Sequence, residues 1–305
     1  MAFTAGPPLE VPIFGADTGA LAASFGTSRL ELNRAESYAQ GGITPTLNEL
    51  TTLLSSLSHD NRPTVRIMIR PRGPPSSPRP ESNPGRKQDL AEDQDFIYTP
   101  EEFSAMIGSI KQFISSGLLD PSKGDGFVFG ILKRTASDGA LELDQERNTE
   151  LVTVVKKAGF KAVLHRAVDA LFSQCGSEAG SAADAVGRVM EAVRECGFDV
   201  MLTSGGLGSA AGNVVRLREV VAAAEREGVE VIVGGGVRSG KLRGLFGGLG
   251  LDLGERNVGA VWFHSSCLRI SVEGQETFDQ GEASGLAHEL RGLCMESKEK
   301  QTQGS

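Results

Sequence analysis

The residues best equipped for chemistry fall in one short phrase, His165-Arg166-Ala167-Val168-Asp169. A histidine shares its proton near neutral pH and can serve as general acid or base. Asp169 can orient that ring or pair with Arg166. Arg166 can clamp an anion only where the strand carrying the phrase ends at His165. A second histidine, His264, occupies the equivalent place in Trp262-Phe263-His264-Ser265-Ser266-Cys267. Two further phrases, Thr203-Ser204-Gly205-Gly206 and Gly234-Gly235-Gly236, offer small residues and backbone N–H groups that suit an oxyanion or a phosphate. His59, in a polar loop, and His288, in a terminal helical stretch, read as surface residues.

Three stretches place charge where a strand is expected. Ser28 to Asn33 sets Arg29, Glu31 and Asn33 on one face against Leu30 and Leu32. Thr64 to Arg70 sets Arg66, Met68 and Arg70 against Val65, Ile67 and Ile69, and Glu10 stands between Leu9 and Val11. Side chains alternate along a strand, so each stretch has an aliphatic face for covering helices and a charged face that must point inward. An unpaired buried carboxylate costs several kcal/mol. Glu10 and Glu31 therefore need partners, and Arg66 and Arg70 are the expected ones, either as a structural ion-pair cluster or as part of a site. The chemistry these residues predict is proton exchange by Glu31 and His165, assisted by Asp169 and His264. Its substrate is a small anion held by Arg70, Arg72 and Arg166, with Glu10, Thr203, Ser204, Gly205, Gly235 and Gly236 completing the contacts.

The elements that must position them alternate along the chain. Strands are expected at Leu9–Phe14, Ser28–Asn33, Thr64–Arg70, Gly126–Leu132, Phe160–Arg166, Phe198–Thr203, Val229–Val233 and Gly259–His264. Helical patterns lie between them, including Thr46–Ser56, Pro100–Ser116, Ser181–Cys196 and Gly212–Glu227. Thr99-Pro100-Glu101-Glu102 carries an N-cap hydroxyl, a first-turn proline and carboxylates against the helix dipole. Asp144 and Gln145 open a weaker helix, residues 243–257 read as a helix with an added loop, and a last helix is expected near Ser284–Ser297. Eight βα units predict a single-domain α/β protein, a closed (β/α)8 TIM barrel with its core at about residues 9–295. An open doubly wound sheet is the competitor, but it carries its glycine-rich turn after the first strand. Here the glycine turns come late, as in a barrel's phosphate site. Residues 71–95, rich in proline and polar side chains, predict a mobile insertion after the third strand, and residues 296–305 a frayed tail.

Composition narrows the function. The chain has 305 residues and a net charge of −8, which speaks against a nucleic-acid or anionic-membrane partner. No apolar run approaches the ~18 residues of a membrane span, and no signal-peptide pattern opens the sequence. The four cysteines form no CxxC pair, which suits a reducing, cytoplasmic compartment and excludes a zinc ribbon. No nucleotide cofactor is expected.

Read in order, several phrases resemble the CutC copper homeostasis family: Leu9-Glu10-Val11, Arg29-Leu30-Glu31-Leu32, Gly41-Gly42-Ile43-Thr44-Pro45-Thr46, Met68-Ile69-Arg70-Pro71-Arg72-Gly73 and Phe127-Val128-Phe129-Gly130. His165-Arg166-Ala167-Val168-Asp169, Leu202-Thr203-Ser204-Gly205, Gly234-Gly235-Gly236 and Phe263-His264-Ser265-Ser266 follow. The resemblance implies a TIM barrel, a cytoplasmic homo-oligomer, and Cu(I) binding or copper tolerance with no assigned reaction. Where the family often has cysteine, this chain has Asn33, Pro12 and Ile13. Because Cu(I) prefers sulfur ligands, Cys175 and Cys267, with His264, are the replacement ligands to test.

Overall fold

Alternating aliphatic and polar residues produce the strands, and local capping starts the helices between them. The computed structural model describes residues 8–58, 60–75, 95–175, 179–252, 260–271 and 276–303. The barrel strands are β1 (Leu9–Phe14), β2 (Arg29–Asn33), β3 (Thr64–Met68), β4 (Gly126–Phe129), β5 (Lys161–Leu164), β6 (Val200–Thr203), β7 (Glu230–Val233) and β8 (Val261–His264). All pair in parallel with their sequence neighbours, and β8 pairs with β1 to close the cylinder. This is the expected (β/α)8 barrel. Several strands end earlier than their apolar runs, because the chain leaves the sheet to build the rim.

The helices are α1 (Gly19–Ser24), α2 (Leu47–Ser56), α3 (Pro100–Ser115), α4 (Gln145–Lys157), α5 (Val168–Gln174), α6 (Ala179–Cys196), α7 (Val214–Glu227), α8 (Ser239–Gly248) and α9 (Gln280–Gln303). Reciprocal capping boxes start α2, at Thr46 and Glu49, and α3, at Thr99 and Glu102. The Asp144 carboxylate accepts from Arg147 N–H to open α4. The last helix runs past residues 284–297 to Gln303, and the buried Ser297 hydroxyl donates to Leu251 O at 2.8 Å. Two short antiparallel hairpins lie outside the expected pattern: Leu132–Arg134 with Leu141–Leu143, and Leu268–Ile270 with Glu276–Phe278. Of the proline-rich insertion, residues 76–94 lie outside the described residues, as do 253–257 of the expected 243–257 helix and loop.

The core has two compartments. Leu9, Val11, Leu30, Leu32, Val65 and Ile67 face outward and join the helices in one cluster. Met68, Val128, Val163, Val200, Leu202, Ile232 and Trp262 form a second cluster inside the cylinder. Apolar filling thus dominates the interior from β4 to β7, while β1, β2 and β3 bring Glu10, Arg29, Glu31, Arg66 and Arg70 to the same space. Arg29 pairs with Glu230 and lies 3.4 Å over the Trp262 ring, near the amino-terminal end of the barrel.

The amino-terminal end is tied by Asp125, which is wholly buried before β4. Its carboxylate accepts from Arg62 at 2.9 and 2.5 Å, from Val65 N–H at 2.8 Å and from Asp120 N–H at 2.8 Å. Removing one partner of a buried ion pair strands the other, at a cost of about 3–5 kcal/mol. Asp125→Ala is expected to lower the unfolding free energy by that amount in urea titrations. A loss under 1 kcal/mol would contradict the role.

Candidate functional site

Parallel register at the closing seam sets Glu10 beside His264, the last residue of β8. Glu10 is buried and His264 partly buried, and His264 Nδ1 donates to Glu10 Oε1 at 2.9 Å. Burial disfavours the Glu10 charge, but the hydrogen bond and charge of His264, with Arg29 and Arg66, outweigh it and hold Glu10 below the usual carboxylate range. Burial likewise opposes protonation of His264, yet the bond to Glu10 and the charges of Glu31 and Glu10 raise it above the ordinary imidazole value. Glu31 accepts from Asn33 Nδ2 at 3.0 Å through one oxygen, while the other has no protein partner. Burial, reinforced by the Glu10 charge, pushes Glu31 up against the opposing pull of His264 and Asn33. The expected partners Arg66 and Arg70 therefore give way to His264 and Asn33. Arg66 remains buried, with Nε and Nη1 unpartnered, and burial, then Arg29, lower it to about 10.

β5 ends at Leu164, so His165 turns into the cavity and Arg166 stands exposed at the rim. The His165 ring is buried beside Phe96, 5.4 Å between centroids, and its Nδ1 has no partner. Burial, then the charges of Arg70, Arg166 and His264, hold it well below the ordinary value, leaving a neutral imidazole near pH 7. Asp169 lies at the start of α5, buried, and its carboxylate serves neither His165 nor Arg166 by hydrogen bond. It accepts from Thr203 Oγ1 at 2.5 Å, Ser204 N–H at 3.0 Å and Ser204 Oγ at 2.6 Å. That makes Asp169 a clamp on the turn after β6, with Gly205 N–H donating to Thr203 Oγ1 at 2.9 Å.

These groups surround a cavity of about 640 Å³ at the carboxyl ends of the strands. Glu31, Arg70, His165, Arg166, Asp169, Thr203, Ser204, Gly235, Gly236 and His264 all line it; Glu10 stands behind His264, while Arg72 and Gly205 do not reach it. The cations divide sharply. Arg70 is bound by Asp95 at 2.8 Å and by Gly42 O at 2.9 Å. β3 ends at Met68, which carries Arg72 outward to Glu102 at 2.6 Å and Ile97 O at 2.8 Å. Among the described residues, Arg166 and Arg238 have no carboxylate partner. Arg238 spends its guanidinium on Ser265 Oγ at 3.4 Å and Leu268 O at 3.0 Å. The Gly235 and Gly236 N–H groups find no protein acceptor among the described residues. Their φ angles are +88° and +77°, and a Cβ on Gly235 would meet Ser204 Cβ at 2.8 Å, so only glycine fits that turn.

Sequence reasoning missed Arg238, Asp95 and the aromatic wall of Phe14, Tyr38 and Phe96. Arg238 had a usable signal, since it follows the glycine run immediately before a helix. Asp95 had none, because it lies across the insertion from Arg70.

The sulfur ligands do not assemble. Cys267 is buried at φ +48° with its thiol on Ser265 O, and Cys175, at the end of α5, turns its thiol to Leu171 O. Neither lines the cavity, and burial pushes both thiols up, Cys267 to about 11. The described donor atoms that do converge belong to Glu10, Glu31 and His264, all within 4.8 Å of one another. Two carboxylates and an imidazole are a poor match for soft Cu(I).

The sequence model of the CutC family matches residues 91–252, more than half of the chain. A copper homeostasis protein cutC homolog of Drosophila melanogaster is 27% identical over 77% of this chain and 70% of its own length. A family protein CutC of Xylella fastidiosa is 28% identical over 86% and 75%. The solved structure of CutC from Streptococcus agalactiae superposes with a TM-score of 0.57 at 21% identity, over 85% of this chain and 97% of that one, which supports the barrel fold.

The shifts set a pH window. A raised His264 contributes stability that is complete below ~6.5 and is lost as pH rises through its folded value. A lowered Glu10 contributes stability present above ~4.5 and lost as pH falls through its folded value. The stability difference between wild type and Glu10→Gln is therefore expected to peak between about pH 4.5 and 6.5. In NMR titrations His264 is expected to titrate above 6.5 and His165 well below it, with Glu10→Gln moving His264 down. Equal values for the two rings would contradict the assignment.

Proposed function

Because this chain belongs to the CutC family, we propose a role in copper homeostasis, as its relatives' names state, exercised through a small anionic ligand at the barrel mouth rather than through a thiolate Cu(I) site. Four free cysteines fit a reducing, cytoplasmic setting. One observation carries the anion reading: Arg166 and Arg238 line the cavity without carboxylate partners, beside two glycine N–H groups with no acceptor. Cations without a carboxylate and N–H groups without an acceptor in a partly enclosed space favour an anion.

The same cavity holds groups for moving a proton. Glu31 is pushed toward its protonated form, and His165, held down, is a free base. Paired groups whose environments drive their titrations apart supply an acid and a base at one pH. A phosphate- or carboxylate-bearing metabolite anchored by Arg166, Arg238 and Gly235–Gly236 would set its remaining polar groups between them. Asp169 holds the turn that carries Ser204, and the Glu10–His264 pair holds the electrostatics of Glu31. Among the described residues, the sulfur ligands of the Cu(I) alternative do not converge on the cavity.

Inorganic phosphate is the simplest probe. Calorimetric titration is expected to show binding that falls at least tenfold in Arg238→Met and in Arg166→Met and is unchanged in Arg72→Met. Cu(I) titration against a competing chelator is expected to show uptake no tighter than that of a variant lacking all four cysteines. Phosphate affinity that ignores Arg166 and Arg238, or tight thiol-dependent copper uptake, would overturn this reading.

A further inference from the structure

Two buried carboxylate oxygens in the interior have no hydrogen-bond partner: Glu10 Oε2 and Glu31 Oε2. Their residues are 1% and 3% exposed, so both oxygens are withdrawn from bulk water. His264, Arg29 and Arg66 all act on the Glu10 charge, but Arg29 is paired with Glu230 and none of them hydrogen-bonds either free oxygen. Two adjacent carboxylates that each keep one oxygen unbonded leave an unsatisfied acceptor spot in a low-dielectric space. Such a spot is stabilised by a proton or by a metal ion.

We propose that Glu10, Glu31 and His264 form a binding site for a divalent cation of hard or borderline character, such as Mn²⁺, distinct from Cu(I). Their donor atoms all lie within 4.8 Å of one another, a spread that modest side-chain adjustment closes onto one ion. Carboxylate oxygens suit Mn²⁺, and imidazole suits the later divalent metals, whereas Cu(I) selects sulfur. Glu31 and His264 line the cavity, so an ion held here keeps open positions facing the ligand space. Cation and proton are alternative occupants, because the ligands bind metal deprotonated. An ion in place holds Glu31 as its carboxylate, which leaves proton transfer to His165. The site does not rest on the anion reading, since Arg166 and Arg238 take no part in it.

The test uses the full chain stripped of metal, titrated with Mn²⁺ near neutral pH and followed by electron paramagnetic resonance of the free ion. One Mn²⁺ per chain is expected. Affinity should fall at least tenfold in Glu31→Gln and in Glu10→Gln and be unchanged in Cys175→Ser and Cys267→Ser. Should a variant fail to fold, the wild type still decides: bound Mn²⁺ is expected to broaden the His264 ring resonances. Absence of uptake at millimolar Mn²⁺, uptake at full affinity in a folded Glu31→Gln chain, or unbroadened His264 signals would overturn the site. Phosphate titration of the same sample separates the two readings: phosphate bound without Mn²⁺ defeats the cation site alone, and Mn²⁺ bound without phosphate defeats the anion reading alone.

Discussion

The hydrogen bond from His264 to Glu10 spans the seam where the first and last barrel strands meet. It is the point at which closing the cylinder and tuning its mouth become one event. A buried carboxylate at this place is tolerable because closure delivers an imidazole to it. Once Glu10 keeps its charge, its neighbour Glu31 meets both desolvation and repulsion and is driven the other way. Loss of the seam bond therefore reaches beyond one contact and removes the difference between the two carboxyl groups.

The arginines obey a similar economy of partners. Arg70 and Arg29 lie inside the barrel and are neutralised by Asp95 and Glu230, so their charge goes into holding loops and strands together. Arg72 is spent in the same way on Glu102. Arg166 and Arg238, on the turns after β5 and β7, are left to face the cavity. On the proposed reading, a field focused by cations without a countercharge in a partly enclosed space would attract small anions even though the whole chain carries a net charge of −8. Local pairing, not total charge, sets the sign of the mouth.

Much of this was legible in the sequence. Arg29-Leu30-Glu31-Leu32-Asn33 alternates so strictly that its charged face could only point inward once helices covered the other, and it does. The late glycine turns were expected beside a rim, and they lie at the carboxyl ends of β6 and β7. The partners were less legible, because alternation gives the face a side chain takes and not the neighbour it meets. Glu10 finds its partner 254 residues away, a pairing dictated by barrel closure. Arg70 finds Asp95 across the insertion. Cys175 and Cys267 share the rim in sequence order, but a left-handed backbone at Cys267 and the end of α5 at Cys175 turn both thiols to backbone carbonyls.

A crystal of the chain grown with a phosphate ester, or soaked in one, addresses the central claim most directly. The account predicts density for the anion bridging Arg166 and Arg238, within hydrogen-bond reach of the Gly235 and Gly236 N–H groups, with Glu31 and His165 on either side of the remaining substituent. An anion seated on Arg70 and Arg72 instead, with Asp95 and Glu102 displaced, or a mouth in which Glu10 and His264 have parted, would contradict it.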